Sequence, residues 1–175
     1  MDIRIIDKAM AGMDNTASDG IKYTSLNNEY LRGTAFKTGF HRLRESDYVS
    51  DAVSRLQKHP SGINISFKSN TTRIKIRASI STKAYMNHMT AIGQIGFDLY
   101  IKRGERFVFL APTNVNAKEY DLTIASDLGN EEKEFRIYFP LYAECLEAYV
   151  GIDEDASLEF LSYEQDKVVI YGTSI

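Results

Sequence analysis

From Gly62 onward, apolar and polar residues alternate along the chain. Ile63, Ile65 and Phe67 are separated by Asn64 and Ser66, and Ile74, Ile76, Ala78 and Ile80 by Lys75, Arg77 and Ser79. Phe97, Leu99 and Ile101 are separated by Asp98 and Tyr100, and further short runs cover residues 106–111, 120–125, 135–141 and 146–152. A period of two puts one face of each strand against a core and the other toward water. Turn-forming residues separate the runs: Ser69-Asn70, Arg103-Gly104, residues 114–116, Leu128-Gly129-Asn130 and residues 153–155. Many short strands with no helices between them predict two antiparallel sheets packed face to face. The expectation is an all-β, jelly-roll-like sandwich of about eight strands, each about 5–6 residues long.

Ahead of this region the period is different. Residues 46–58 read as one short helix, with Val49, Val53 and Leu56 on one face and Asp51, Ser54 and Arg55 on the others. Ser46 or Asp47 is the expected cap, and His59-Pro60 the stop, because the residue before proline is pushed out of the helical region. Residues 10–28 are rich in Gly, Ser, Thr, Asn and Asp, which suits loop and short strand. The expected organisation is an N-terminal loop and short strand over residues 1–28 and a sandwich over residues 29–165. A distinct terminal element follows over residues 166–175.

That element breaks the alternation. Val168, Val169, Ile170 and Tyr171 form a continuous apolar run, which suits a strand covered on both faces, as in the parallel sheet of an α/β domain. The run leads into Gly172, Thr173, Ser174 and Ile175. Pattern alone leaves two readings open: a last strand of the sandwich, or the first strand of a second domain.

Composition narrows the function classes. The net charge is −3, with no strongly basic face of the kind that nucleic-acid binders gather. No segment approaches the roughly 20 apolar residues of a membrane-spanning helix, and the N-terminus carries no apolar stretch of signal length. Cytoplasmic residence is the default, although a protein trimmed of an export signal would look the same. The single cysteine, Cys145, excludes an internal disulfide and reads as a small buried hydrophobe. His41, His59 and His88 stand in three separate segments without metal-ligand spacing, so no metal or other cofactor is expected.

Four stretches together carry a family resemblance. Gly96-Phe97-Asp98-Leu99-Tyr100 resembles the Gly-x-Asp-Leu-Tyr signature of a domain found at the N-terminus of SGNH-type, or GDSL-like, esterases. Residues 52–69, a helix followed by His-x-x-Gly and an alternating strand, and Phe139-Pro140-Leu141-Tyr142 are similar to further parts of it. Lys167 to Ile175 resembles the first block of the hydrolase domain itself, a buried strand delivering a Gly-x-Ser-hydrophobic turn.

The resemblance implies that Ser174 is the nucleophile of the complete enzyme. The oxyanion glycine and asparagine and the Asp-x-x-His pair would follow Ile175. The implied partner is a C-terminal SGNH hydrolase domain, and the implied function is that of an accessory domain shaping or capping the active site. The substrate would be an acyl ester of a carbohydrate or another small ester. A serine hydroxyl without a base is a poor nucleophile near neutral pH, so the chain alone is expected not to turn over esters. The alternative is a free-standing carbohydrate-binding module, disfavoured by the absence of Trp despite 11 Tyr. Self-association into a homo-oligomer remains open.

Within the sandwich, alternation sets Asp98 and Tyr100 on the face opposite Phe97 and Leu99. They are candidates for docking the hydrolase domain; the competing reading has Asp98 bonded to a nearby loop and Tyr100 merely covering the sheet. Tyr138 and Tyr142 flank Pro140 as candidates for a substrate cleft, against ordinary packing. Arg73, Lys75 and Arg77 make a basic row that is either a solvated face or an anion site.

Overall fold

The computed structural model describes residues 19–34, 39–42 and 49–162. Two antiparallel sheets pack on each other. One holds β1 (Ile21–Ser25), β8 (Cys145–Asp153), β3 (Ile74–Ile80) and β6 (Glu119–Ala125), in that order across the sheet. The other runs β5 (Arg106–Pro112), β4 (Asp98–Arg103), β7 (Lys133–Tyr138), β2 (Asn64–Ser69) and β9 (Glu159–Leu161). Two helices are short: α1 (Asp51–Leu56) and α2 (Ala91–Ile95).

The alternating apolar residues form the core. Ile74, Ile76, Val150 and Ile152 from the four-stranded sheet meet Ile65, Phe67, Leu99, Phe135 and Ile137 from the five-stranded sheet, all fully buried. Phe67 and Phe135 are register partners on β2 and β7, and their ring centroids lie 5.5 Å apart. The β4–β5 hairpin turns at Gly104, whose φ of +59° favours a residue without a Cβ.

Among the described residues there are two short helices where the sequence predicts one, because α2 interrupts the connection between β3 and β4. Nine strands form the described sandwich, close to the number expected. The short strand expected near the N-terminus is β1, which pairs with β8 along its whole length. The apolar face of the helix is exposed: Val49, Val53 and Leu56 are 37%, 42% and 42% accessible, and the described helix contains no buried residue. Ser50 caps it, accepting from the Val53 amide at 3.4 Å. Such a short helix can be held by its cap and flanking segments without burying a stripe. Ser46 and Asp47, the apolar run at 168–171 and Ser174 lie outside the described residues.

The basic row is a matched charge surface on the four-stranded sheet. Asp121 accepts from Arg77 Nη2 at 2.8 Å and from the Tyr23 hydroxyl at 2.7 Å, and Lys75 Nζ stands 3.1 Å from it. The Arg77 guanidinium lies 3.6 Å from the centre of the Tyr23 ring. Arg73 donates to Asp153 at 3.1 Å. With cation matched to carboxylate, the row supports the solvated-face reading.

Asp153 does more than answer Arg73. It accepts from the Thr72 amide and hydroxyl, both at 2.7 Å, and from the Thr71 hydroxyl at 3.0 Å, tying the β2–β3 turn to the end of β8. Burial would raise its pKa, but these bonds, the Thr72 pair foremost, hold it down to about 2. A carboxyl depressed in the folded state stabilises above its unfolded pKa, and that contribution is lost as pH falls through the folded value. Asp153→Ala is therefore expected to cost about 2 kcal/mol at pH 7, and urea titrations should show the difference shrinking between about pH 4 and pH 2.

Candidate functional site

The residues singled out from sequence fall into two places. Asp98 and Tyr100 share the outward face of the five-stranded sheet, while Tyr142 belongs to a cleft beyond the ends of its strands.

The sheet face begins at Gly96. This residue ends α2, and its amide donates to Ile92 O at 3.0 Å. A Cβ built there would stand 2.6 Å from Ile92 O and 3.2 Å from Thr113 O, both backbone atoms. Gly96 is thus the point where helix, β4 and the end of β5 touch backbone to backbone. Phe97 is locked next, donating to Thr113 Oγ1 at 2.7 Å and accepting from the Thr113 amide at 2.8 Å. With Phe97 buried, the pleat turns Asp98 outward, Leu99 inward and Tyr100 outward.

Tyr100 sits between two rings. Its centroid is 5.6 Å from Phe109 of β5 and 5.3 Å from Tyr138 of β7, both edge to face. Phe109 is 51% accessible, and Val108 beside it 48%. Arg136 donates to Ser66 Oγ at 2.9 Å and lies 3.9 Å over the Phe107 ring. Lys102 and Glu134 pair at 2.9 Å. Asp98 stands opposite Tyr138 and Pro112 in register; its carboxylate has no hydrogen bond or ion pair among the described residues, and burial raises its pKa. The loop contact weighed for it from sequence is absent among those residues.

The second place is a cleft of about 350 Å³, lined by Arg55, Lys58 and His59 from the end of α1 and its exit, Ser81, Thr82 and Tyr85 after β3, and Tyr142 and Glu144 before β8. His41 Nε2 lies 3.0 Å from Glu144 Oε1. Burial, reinforced by the positive fields of Arg42 and Arg55, lowers the pKa of His59. Gln94 of α2, 1% accessible, fixes the rim: its side chain accepts from the Tyr85 and Met86 amides, both at 2.9 Å, and donates to Met86 O at 2.9 Å and Met89 O at 2.6 Å. Gln94→Ala would orphan four backbone groups. It is expected to cost about 2–4 kcal/mol in urea unfolding and to release the 85–89 segment to rapid amide exchange. Of this cleft the sequence pointed only to Tyr142; nothing marked Gln94 or the rest of the lining, which comes from three separate stretches.

Cys145 is 3% accessible, and burial, with Glu144 and Glu147 nearby, pushes its thiol up, so it stays protonated and unreactive. No group of three or more His, Cys, Asp or Glu side chains able to hold a metal occurs among the described residues. No helix among them is long and apolar enough to cross a membrane.

Comparison with known proteins adds to this geometry. The family described as GxDLY, N-terminus of the SGNH-hydrolase type of esterase, matches residues 21–158. A crystal structure described as a GDSL-like lipase from Bacteroides ovatus superposes with a TM-score of 0.74 at 29% identity, over 79% of this chain and 42% of that one. The salicylyl-acyltransferase SsfX3 of a tetracycline biosynthetic pathway superposes with a TM-score of 0.56 at 12% identity, over 86% of this chain and 44% of that one, a likeness of fold alone. The chain thus spans less than half the length of either structure. No curated protein matches it by sequence.

Proposed function

We propose a docking role for this chain, starting from the fact that it belongs to the GxDLY family, the N-terminus of SGNH-type esterases. In this reading the outward face of the five-stranded sheet receives the hydrolase domain, and the sandwich shapes or caps the active site of the complete enzyme. The carrying observation is the half-buried carboxylate of Asp98, without a partner among the described residues, on a face of edge-to-face rings. Burying a charge without a partner costs free energy. A donor or cation from a docked domain would recover that cost, while Tyr100, Phe109 and Tyr138 would supply the apolar contact.

Strand direction supports the same surface. Leu161 of β9 lies opposite Ser66, and β9 runs antiparallel to β2. β9 therefore points toward the row that holds Asn64, Tyr138 and Asp98. A domain following β9 would start from the end of the sheet where these residues sit.

Ser174 is the nucleophile of this reading, and the acyl ester of a carbohydrate or similar small molecule its substrate class. The histidine base and the remaining oxyanion donors come from the hydrolase domain. The test is association in trans. A separately produced hydrolase domain should bind the isolated chain saturably and raise its Tm, and the isolated chain should hydrolyse no ester. Absence of binding, or ester turnover by the chain alone that disappears in Ser174→Ala, would contradict the reading.

A further inference from the structure

The cleft beside α1 does not belong to the docking face, and its chemistry is different. Two cationic side chains, Arg55 and Lys58, line it together with His59. The pKa of His59 lies below the ordinary imidazole value, so near neutral pH the ring is uncharged and presents one N–H donor. The single carboxylate of the lining, Glu144, is engaged by His41 at 3.0 Å. Ser81 accepts from the Glu144 amide at 3.1 Å and keeps its own hydroxyl proton to donate. Tyr85, 59% accessible, and Tyr142 provide ring surface.

The walls are held in place. Gln94 fixes the Tyr85 backbone as described, and the Tyr142 amide donates to Gln94 O at 2.9 Å, so one buried residue positions both tyrosines. The Ser81 amide donates to Glu144 O at 2.9 Å, which joins the two connections that carry the hydroxyl and the acid. A volume near 350 Å³ lies at the small end of ligand pockets and suits a single ring.

From this arrangement we infer that the cleft binds an organic anion built as one ring bearing a carboxylate, with the carboxylate against Arg55 and the ring against Tyr85 and Tyr142. Guanidinium and ammonium groups recognise carboxylates by charge-assisted hydrogen bonds. Tyrosine faces accept either the C–H face of a sugar or an aromatic ring. Both a sugar acid and an aryl acid have the required chemistry, and the experiment separates them.

The isolated chain would be titrated with galacturonate and with benzoate, and in parallel with galactose and benzamide, following tyrosine resonances by NMR. Saturable perturbation of Tyr85 and Tyr142 by one of the anions is expected, with its neutral counterpart weaker by about tenfold or more. Galacturonate binding alone would identify a sugar acid, and benzoate binding alone an aryl acid. Binding of both would show that the carboxylate dominates. The Arg55→Gln variant changes an exposed side chain in the last turn of α1. It should keep the parent Tm and lose affinity by about tenfold or more. Failure of both anions to bind, equal affinity for anion and neutral counterpart, or unchanged affinity in folded Arg55→Gln would overturn the inference. None of these outcomes bears on association with the hydrolase domain.

Discussion

Gly96→Ala is expected to destabilise the chain by about 2–4 kcal/mol, lowering Tm by roughly 5–15 °C. The backbone at Gly96 has φ −81° and ψ 156°, which any L residue adopts, so the cost does not come from conformational strain. It comes from space. The added methyl would lie 2.6 Å from Ile92 O and 3.2 Å from Thr113 O, and backbone carbonyls cannot rotate aside as a side chain would. If α2 retreats, the Gly96 N–H to Ile92 O bond is lost, and Gln94 and fully buried Ile95 move with it. If β5 retreats, the pair of bonds between Phe97 and Thr113 goes. Gly104 is the control. Its Cβ would meet nothing within 4 Å, and only its positive φ penalises alanine, by about 1 kcal/mol. Equal, small losses at the two positions in urea unfolding would show that the close approach at Gly96 is not what the glycine serves.

The second large effect belongs to the proposed docking face. In a polypeptide carrying both the sandwich and its hydrolase domain, Asp98→Lys is expected to lower esterase kcat/KM by about 10- to 100-fold, and Tyr100→Ala by a comparable factor. Asp98→Asn in the isolated chain should behave in the opposite sense. A carboxyl whose pKa is raised by folding withdraws stability as pH rises through the window above the ordinary carboxylate range, because the unfolded chain ionises first. The amide removes that loss, so the isolated Asp98→Asn chain should melt no lower than the parent at pH 7. Its melting temperature should also vary less as pH rises above the ordinary carboxylate value. A residue whose replacement weakens the assembled enzyme, while its presence burdens the free domain, is what a docking contact looks like. If Asp98→Asn lowered Tm in the isolated chain, the carboxylate would be serving the sandwich itself.

Much of this architecture is legible in the residues. Strand alternation located the core, because a period of two admits one buried face: Ile65, Phe67, Ile76, Leu99 and Ile137 are all fully buried. The same rule set Asp98 and Tyr100 outward. Helical periodicity put Val49, Val53 and Leu56 on one face but says nothing of what covers it, and that face is exposed. β9 escaped notice because three residues, Glu159, Phe160 and Leu161, are too few to show a period. α2 escaped it too; five residues containing Gly93 carry little helical signal, and the element is held by Gln94 reaching into its preceding loop. The basic row was ambiguous because its partners, Asp121 and Asp153, lie 44 or more residues along the chain. The cleft has the same origin, being an assembly of distant connections that no local spacing announces.

The docking claim is tested most directly by side-chain footprinting of tyrosine and carboxyl groups, in the isolated chain and in the polypeptide that also carries the hydrolase domain. Asp98, Tyr100 and Tyr138 should label in the first and be strongly protected in the second, while Tyr23 and Tyr149 on the four-stranded sheet keep their labelling. Unchanged labelling at Asp98, Tyr100 and Tyr138, with protection on the four-stranded sheet instead, would contradict the account.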